Sequence, residues 1–282
     1  MKSRRWGRER EAPVDYGVPS VALAAQALKL LSRHKYKAAS LKDIARKLNA
    51  SPTTCLRVLR SLEREEFVRY DPETRKYSLG PYLILLGNRA AEQSDSFGRA
   101  IGEIKRVAVQ TGMTTALVQR WDDRPIYIAS ADPPADDNRF SRLGISIGQV
   151  TPLMAGAHGR CFLAYDDEAE WQRRLAAGIL PMTPATITEP ERFIEALRTV
   201  RRQGYVVSDG EFHRGATAID APIFGKHGQV ELALSCMVIS SQLDEQSLAS
   251  VIATVRASAR RLSEWNGFTP YPGDEAPLLA SH

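Results

Sequence analysis

The sequence predicts an α+β chain in two parts: a small helical domain closed by a hairpin, and a larger domain mixing strands and helices. Three observations carry this. At 282 residues the chain suits two ordinary cores better than one. Its charge is uneven: residues 1–80 hold 18 Lys and Arg against 9 Asp and Glu, a net of +9, so the remainder carries −4 of the total +5. The apolar residues recur at helical spacing up to about position 65, after which strand-like and helical runs mix. A basic first part suits nucleic acid and a mildly acidic second part suits other duties, although a basic face can equally be a solvated one.

Composition excludes several classes. No apolar run approaches the roughly 18 residues a spanning helix needs, and the basic start MKSRRWGRERE lacks the apolar segment of a secretory signal. No membrane association and a cytoplasmic location are therefore expected. Cys55, Cys161 and Cys236 are far apart and form no CxxC pair, which argues against a zinc knuckle or a disulfide framework and for buried thiols. No phosphate loop, metal cluster or nucleophile elbow occurs, so no cofactor is expected.

Residues 1–17, with five basic side chains, are expected to form a mobile arm able to touch phosphates. Domain one is expected over 18–80. Ser20 can cap a helix running to His34, with Val21, Ala24, Leu28 and Leu31 at helical spacing. Ser40 and Asp43 form an S-x-x-D capping box for a second helix striped by Leu41, Ile44, Ala45 and Leu48. Asn49 suits a left-handed turn. Ser51 caps a third helix, with Pro52 in its first turn, that runs to about Glu65. Cys55, Leu56, Leu59 and Leu62 would face inward, leaving Thr53, Arg57, Arg60 and Arg64 on the other side. An arginine there can donate two hydrogen bonds to a guanine edge; Ser51, Thr53 and Thr54 are placed near phosphates or a thymine methyl. Phe67–Tyr70 and Arg75–Leu79 alternate like strands around the turn Asp71-Pro72-Glu73-Thr74. The whole reads as a winged helix-turn-helix, with Arg75 and Lys76 on the wing facing double-stranded DNA.

Over 81–96 a linker helix starting at Tyr82 shows apolar residues on more than one face. Pairing with a second subunit, or burial within the chain, would cover them. Residues 97–266 should form the second domain. A helix through Ile101, Ile104, Val107 and Ala108 ends near Gly112. Strands follow at Thr114–Gln119 and Pro125–Ala131, and one or two more within Phe140–Val150. TPLMAGAHGRCFLAY is a small-residue loop opening a helix, followed by helices at Glu168–Ala177 and Glu189–Gln203. Strands at Gly204–Ser208, Ala218–Phe224 and Gln229–Val238 precede a last helix capped by Asp244 and ending at Trp265. A loose tail is expected over 267–282.

The segments KYSLGPYLILLG, TPLMAGAHGRCFLAY and RRQGYVVSDGEFHRGATAIDAPIFGKHGQVELALSCMV resemble the IclR family of bacterial transcriptional regulators across roughly 20–265. Gly204, Ser208, Glu211, Ala218 and Ile219 fit the family's signature. Asp220 departs from it where a small residue is usual, as does Gly225 where Asp or Asn is usual. The resemblance implies a GAF-like effector domain with an antiparallel sheet, and DNA binding to a two-fold operator as a homodimer or a dimer of dimers. It places effector contacts on Phe140, Leu143, Ala157, His158, Ser208, Ala216, Ala218, Ser235 and Met237. Backbone amides of Ala157 and His158, opening a helix, could hold a small organic carboxylate, with aromatic acids a candidate class. His213 and Arg214 form a second polar cluster, at the pocket or at the surface. Two other readings stay open: a metabolite-converting enzyme using His158, Cys161 and Glu211, and a DNA-binding protein without a ligand.

Overall fold

The computed structural model describes residues 17–272 except 94, 122, 138 and 270. The expected arm lies outside the described residues but for Gly17, as does the chain beyond 272. Two compact units divide between Leu85 and Leu86.

In the N-terminal unit, α1 (Pro19–Leu31), α2 (Leu41–Lys47) and α3 (Pro52–Arg64) pack around Ala27, Leu30, Leu31, Ile44 and Leu59. Both expected caps form. Ser40 accepts the Asp43 N–H at 3.2 Å and its hydroxyl donates back to the Asp43 carboxylate at 2.8 Å. Ser51 accepts the Thr54 N–H at 3.1 Å, and Asn49 turns the chain at φ +50°. Ser20 does not cap α1. Pro19 occupies the first turn, Val18 stands at the cap without a side-chain bond, and the helix stops at Leu31 before a single 3₁₀ turn at His34–Tyr36. Proline's preset φ starts the helix in place of a capping side chain. On α3, Val58 rather than Leu56 joins Cys55 and Leu59 inside, and Leu56 is exposed. One residue on a helix is a rotation of about 100°, which carries Leu56 off the face that Cys55 defines.

β1 (Ala39–Ser40), β2 (Val68–Asp71) and β3 (Lys76–Leu79) form an antiparallel sheet ordered β1-β3-β2. The β2–β3 turn is pinned by Asp71, whose carboxylate accepts the Glu73 N–H at 2.9 Å and the Thr74 hydroxyl at 2.6 Å. Arg75 closes it at φ +56°. α4 (Tyr82–Gln93) straddles the division between the units, with Tyr82, Ile84, Leu85 and Leu86 exposed.

The C-terminal unit begins with α5 (Asp95–Thr111), β4 (Thr114–Trp121) and β5 (Arg124–Ala131). α6 (Gly156–Leu163), α7 (Glu168–Leu175) and α8 (Pro190–Gln203) follow, then β6 (Val206–Asp209), β7 (Ala216–Phe224), β8 (Val230–Ile239) and α9 (Glu245–Trp265). The sheet is antiparallel throughout, ordered β5-β4-β8-β7-β6. Strand alternation divides β8 between two cores. Leu234, Cys236 and Val238 meet Ile104 and Val107 of α5 and Val255 of α9. Ala233 and Met237 join Leu163 of α6 with Phe193 and Leu197 of α8.

Two expectations fail here. Phe140–Val150 is not a strand; only Val150 bridges to Ile126. Gly144 and Gly148, the latter at φ +81°, break the run, and it curls back along β5 instead. The segment after Gly267 is not loose over its described part. Phe268 stacks on Phe224 at 4.4 Å, and Tyr271 is 3% exposed, donating its hydroxyl to Pro222 O at 2.9 Å. Two aromatic rings gain more from that apolar surface than the prolines and glycines around them lose in ordering.

Candidate nucleic-acid interface and ligand cavity

The outward side of α3 carries Thr53, Arg57, Arg60 and Arg64, all exposed. Arg57 and Arg64 have no acidic partner among the described residues. Arg60 is held: it pairs with Glu63 at 2.9 Å and lies over the Tyr70 ring of the wing at 5.5 Å. The Ser51 and Thr54 hydroxyls, 2.8 Å apart, share one hydrogen bond within the cap. Arg75 and Lys76 are exposed on the wing. The helix and wing thus present exposed guanidinium and ammonium groups, the condition for meeting phosphates and base edges.

In the C-terminal unit a cavity of about 560 Å³ opens between the start of α6, the ends of β7 and β8, and the 143–151 segment. That volume fits a small organic molecule. Leu143, Ile145, Ala218, Met237 and Ile239 make its apolar wall. The 143–151 segment is fixed over β5: Gly148 N–H donates to Tyr127 O at 2.8 Å, Tyr127 N–H to Gln149 O at 3.2 Å, and Thr151 N–H to Pro125 O at 2.9 Å. Gly159 lets α6 seat against the chain leading into it, since a Cβ there would stand 1.8 Å from Leu153 O.

Two buried polar clusters flank the start of α6. Glu211 accepts from the Arg160 guanidinium, the Ser208 hydroxyl and the Gly156 N–H. Burial raises the Glu211 carboxyl and lowers Arg160 in spite of their pairing, so desolvation outweighs attraction on both sides. In the second cluster His158 Nδ1 is 2.5 Å from the Asp220 carboxylate, and Nε2 is 2.6 Å from the Tyr127 hydroxyl. Asp220 is fully buried in β7. Burial, with the Asp220 charge second, pushes the Tyr127 phenol up, so its proton stays in place at neutral pH.

Of the residues expected at an effector site, Leu143, Ala157, His158, Ser208, Ala216, Ala218 and Met237 line the cavity. Phe140 does not; its ring packs on the core beneath α5 and α9, on the opposite side of the sheet. Ser235 does not either. It is sealed in β8 between Ala116 and Asp220, with its hydroxyl unpartnered. Ser208 also stands beside Glu211 and helps to hold its charged form. His213 and Arg214 line the mouth, exposed. Sequence reasoning missed Tyr127, Gln149 and Phe212, which line it too; a tyrosine among isoleucines in β5 was the one available hint. Cys161 is fully buried, burial pushes its thiol well up, and His158 bonds Tyr127 and Asp220 rather than Cys161. That pairing supports no nucleophile. No group of three His, Cys, Asp or Glu side chains among the described residues could hold a metal ion, and no helix among them is long and apolar enough to cross a membrane.

A winged helix-turn-helix with free arginines on its second helix, joined to a cavity-bearing α/β unit, defines a DNA-binding regulator. Residues 20–72 match the IclR helix-turn-helix domain and residues 90–264 the C-terminal domain of IclR bacterial transcriptional regulators. The chain belongs to this family and is a transcriptional regulator, not an enzyme. The HTH-type transcriptional regulator XynR of Escherichia coli (strain K12) is 27% identical over 254 residues, spanning 89% of this chain and 99% of that protein. KdgR of the same organism is 28% identical over 82% of this chain and 86% of that protein. The crystal structure of an IclR transcriptional regulator from Alicyclobacillus acidocaldarius superposes with a TM-score of 0.83 at 49% identity, covering 89% of this chain and 100% of that one. An IclR homologue from Microbacterium hydrocarbonoxydans complexed with 4-hydroxybenzoate shares the fold, with a TM-score of 0.70 at 20% identity, over 88% of this chain and 99% of that one.

Proposed function

We propose that this regulator's hold on DNA is set by a small organic carboxylate, aromatic acids being the leading class, bound in the cavity of the C-terminal unit. The observation that carries the reading is at the start of α6. The backbone N–H groups of Ala157 and His158 belong to the first turn, have no acceptor among the described residues, and line an otherwise mostly apolar cavity. Orphan amides at a helix start bind anions through hydrogen bonds and the helix dipole. Glu211 takes the neighbouring Gly156 N–H, and its charge is matched by Arg160. The aromatic acid in the Microbacterium homologue supports the same class.

On the DNA side, Arg57 and Arg64 read base edges, Thr53 and the Ser51–Thr54 cap approach phosphates, and Arg60, Arg75 and Lys76 fix the wing. The exposed Tyr82, Ile84, Leu85 and Leu86 of α4 support a homodimer, or a dimer of dimers. It would sit on half-sites about one helical turn apart or a multiple of that.

A thermal-shift screen of small organic acids against the full chain tests the cavity. A ligand at 100 times its Kd stabilises by about 2.7 kcal/mol, so an aromatic acid should raise the melting temperature by several degrees and change retention of operator DNA in a gel. Sequence-selective DNA binding that no acid alters would favour the ligand-free alternative.

A further inference from the structure

Asp220, His158 and Tyr127 form a continuous hydrogen-bonded chain from the centre of β7 to the cavity. They come from β7, α6 and β5, and none of the three residues is more than 6% exposed. Asp220 Oδ1 has no partner among the described residues. The carboxylate therefore depends on His158, since Arg160 is committed to Glu211 and to Val207 O. At the other end the Tyr127 hydroxyl lies 3.4 Å from Met237 Sδ, a weak acceptor, and lines the cavity.

The chain allows two proton arrangements, and both leave Tyr127 one open valence. With Nε2 accepting, the phenol donates to His158 and its oxygen can accept from a ligand. With Nε2–H donating, the phenol proton is free of His158 and has only the thioether. A ligand hydroxyl satisfies either arrangement, because it both donates and accepts; a C–H satisfies neither.

We propose that Tyr127 is the cavity's specificity-determining group, and that it selects acids bearing a hydroxyl over acids without one. His158 and Asp220 are positioning residues that fix the phenol. This rests on the carboxylate reading above, which uses the α6 amides, and concerns the ligand's other polar end.

Titration calorimetry on the full chain tests it, with benzoate and its three monohydroxy isomers, and phenylacetate and its own three. In the wild type at least one hydroxy acid should bind about ten-fold more tightly than its parent, the value of one hydrogen bond. Tyr127→Phe should bring that ratio to about two-fold or less. Asp220→Ala should weaken the hydroxy acid alone, and Asp220→Asn, which can still accept from Nδ1–H, should restore it; a general loosening of the cavity would weaken both acids. A wild-type ratio near one for every pair that binds overturns the inference even if Tyr127→Phe fails to fold, as does a ratio retained in Tyr127→Phe. Binding of no acid at all overturns the carboxylate reading, and this inference with it.

Discussion

Replacing Glu103 by glutamine should destabilise the C-terminal unit at neutral pH and much less in acid. Glu103 on α5 is 6% exposed and accepts from Arg106 at 2.7 and 3.0 Å and from Arg261 of α9 at 2.6 Å. It therefore ties together the two helices that cover one face of the sheet. Burial alone would raise its carboxyl, but the hydrogen bonds from Arg106 and Arg261 outweigh burial and hold it at about 2 instead of 4.5. A carboxyl depressed in the folded state contributes stability that is present above its unfolded value and lost as pH falls toward the folded one. Here that window runs from about 4.5 down to about 2. At 1.36 kcal/mol per pH unit the window is worth about 3 kcal/mol. Both arginine side chains are two-fifths exposed or more, so solvent screening brings the expectation to about 2 kcal/mol. Urea unfolding followed by fluorescence of the buried Trp171 reports this unit. The Glu103→Gln deficit should be about 2 kcal/mol at pH 7 and less than half of that at pH 3. A deficit equal at both pH values would mean that glutamine disturbs packing and that the charge contributes nothing.

Three further outcomes are expected. Arg57→Ala should cost about 1–3 kcal/mol at one base position and relax preference there, whereas Lys76→Ala should weaken all sequences evenly and lower the salt slope by about 1; anisotropy titrations on operator and scrambled DNA at two salt concentrations separate these, and equal effects would contradict the assigned roles. Gly159→Ala should lower the melting temperature and abolish any acid-induced shift, because its Cβ would meet the Leu153 backbone oxygen at 1.8 Å and backbone cannot swing aside; an unchanged ligand response would show that the turn leading into α6 is not part of the site. Tyr271→Ala should cost about 3–5 kcal/mol in denaturant unfolding, in the range for a buried aromatic. A cost under about 1 kcal/mol would mean that this segment docks without stabilising.

What could be read from the sequence was what one residue does with its near neighbours. The caps at Ser40, Ser51 and Asp244 each involve an N–H three residues on, so the pattern alone places them. The arginines of α3 were legible for a similar reason: facing solvent requires only that Cys55 and Leu59 face the other way. Leu56 shows the limit, since apolar character alone does not say which side of a helix it takes. The cavity was legible in its α6 amides, its β7 wall and Met237, through the family likeness. It was illegible in Phe140, which lies across the sheet, and in Ser235, whose burial depends on two neighbouring strands.

Tyr127 escaped because its role is made by tertiary structure. Positions 127, 158 and 220 become neighbours only when β5, α6 and β7 are assembled around the sheet. Asp220 was visible beforehand only as a departure, a carboxylate where a small residue is usual. An unpaired carboxylate at a fully buried strand position would be expensive, and His158 is the one partner of its Oδ2 among the described residues. The departure and the histidine therefore have to be read together, and with them Tyr127, whose hydroxyl is the end of that chain the cavity meets. For binding there to alter DNA affinity, the ligand must favour one arrangement of the protein over another. The covalent path from the cavity's unit to α3 runs through α4, whose Ile84, Leu85 and Leu86 flank the division between the units and are exposed. Substitutions there should therefore change the coupling between ligand and DNA more than the affinity for either.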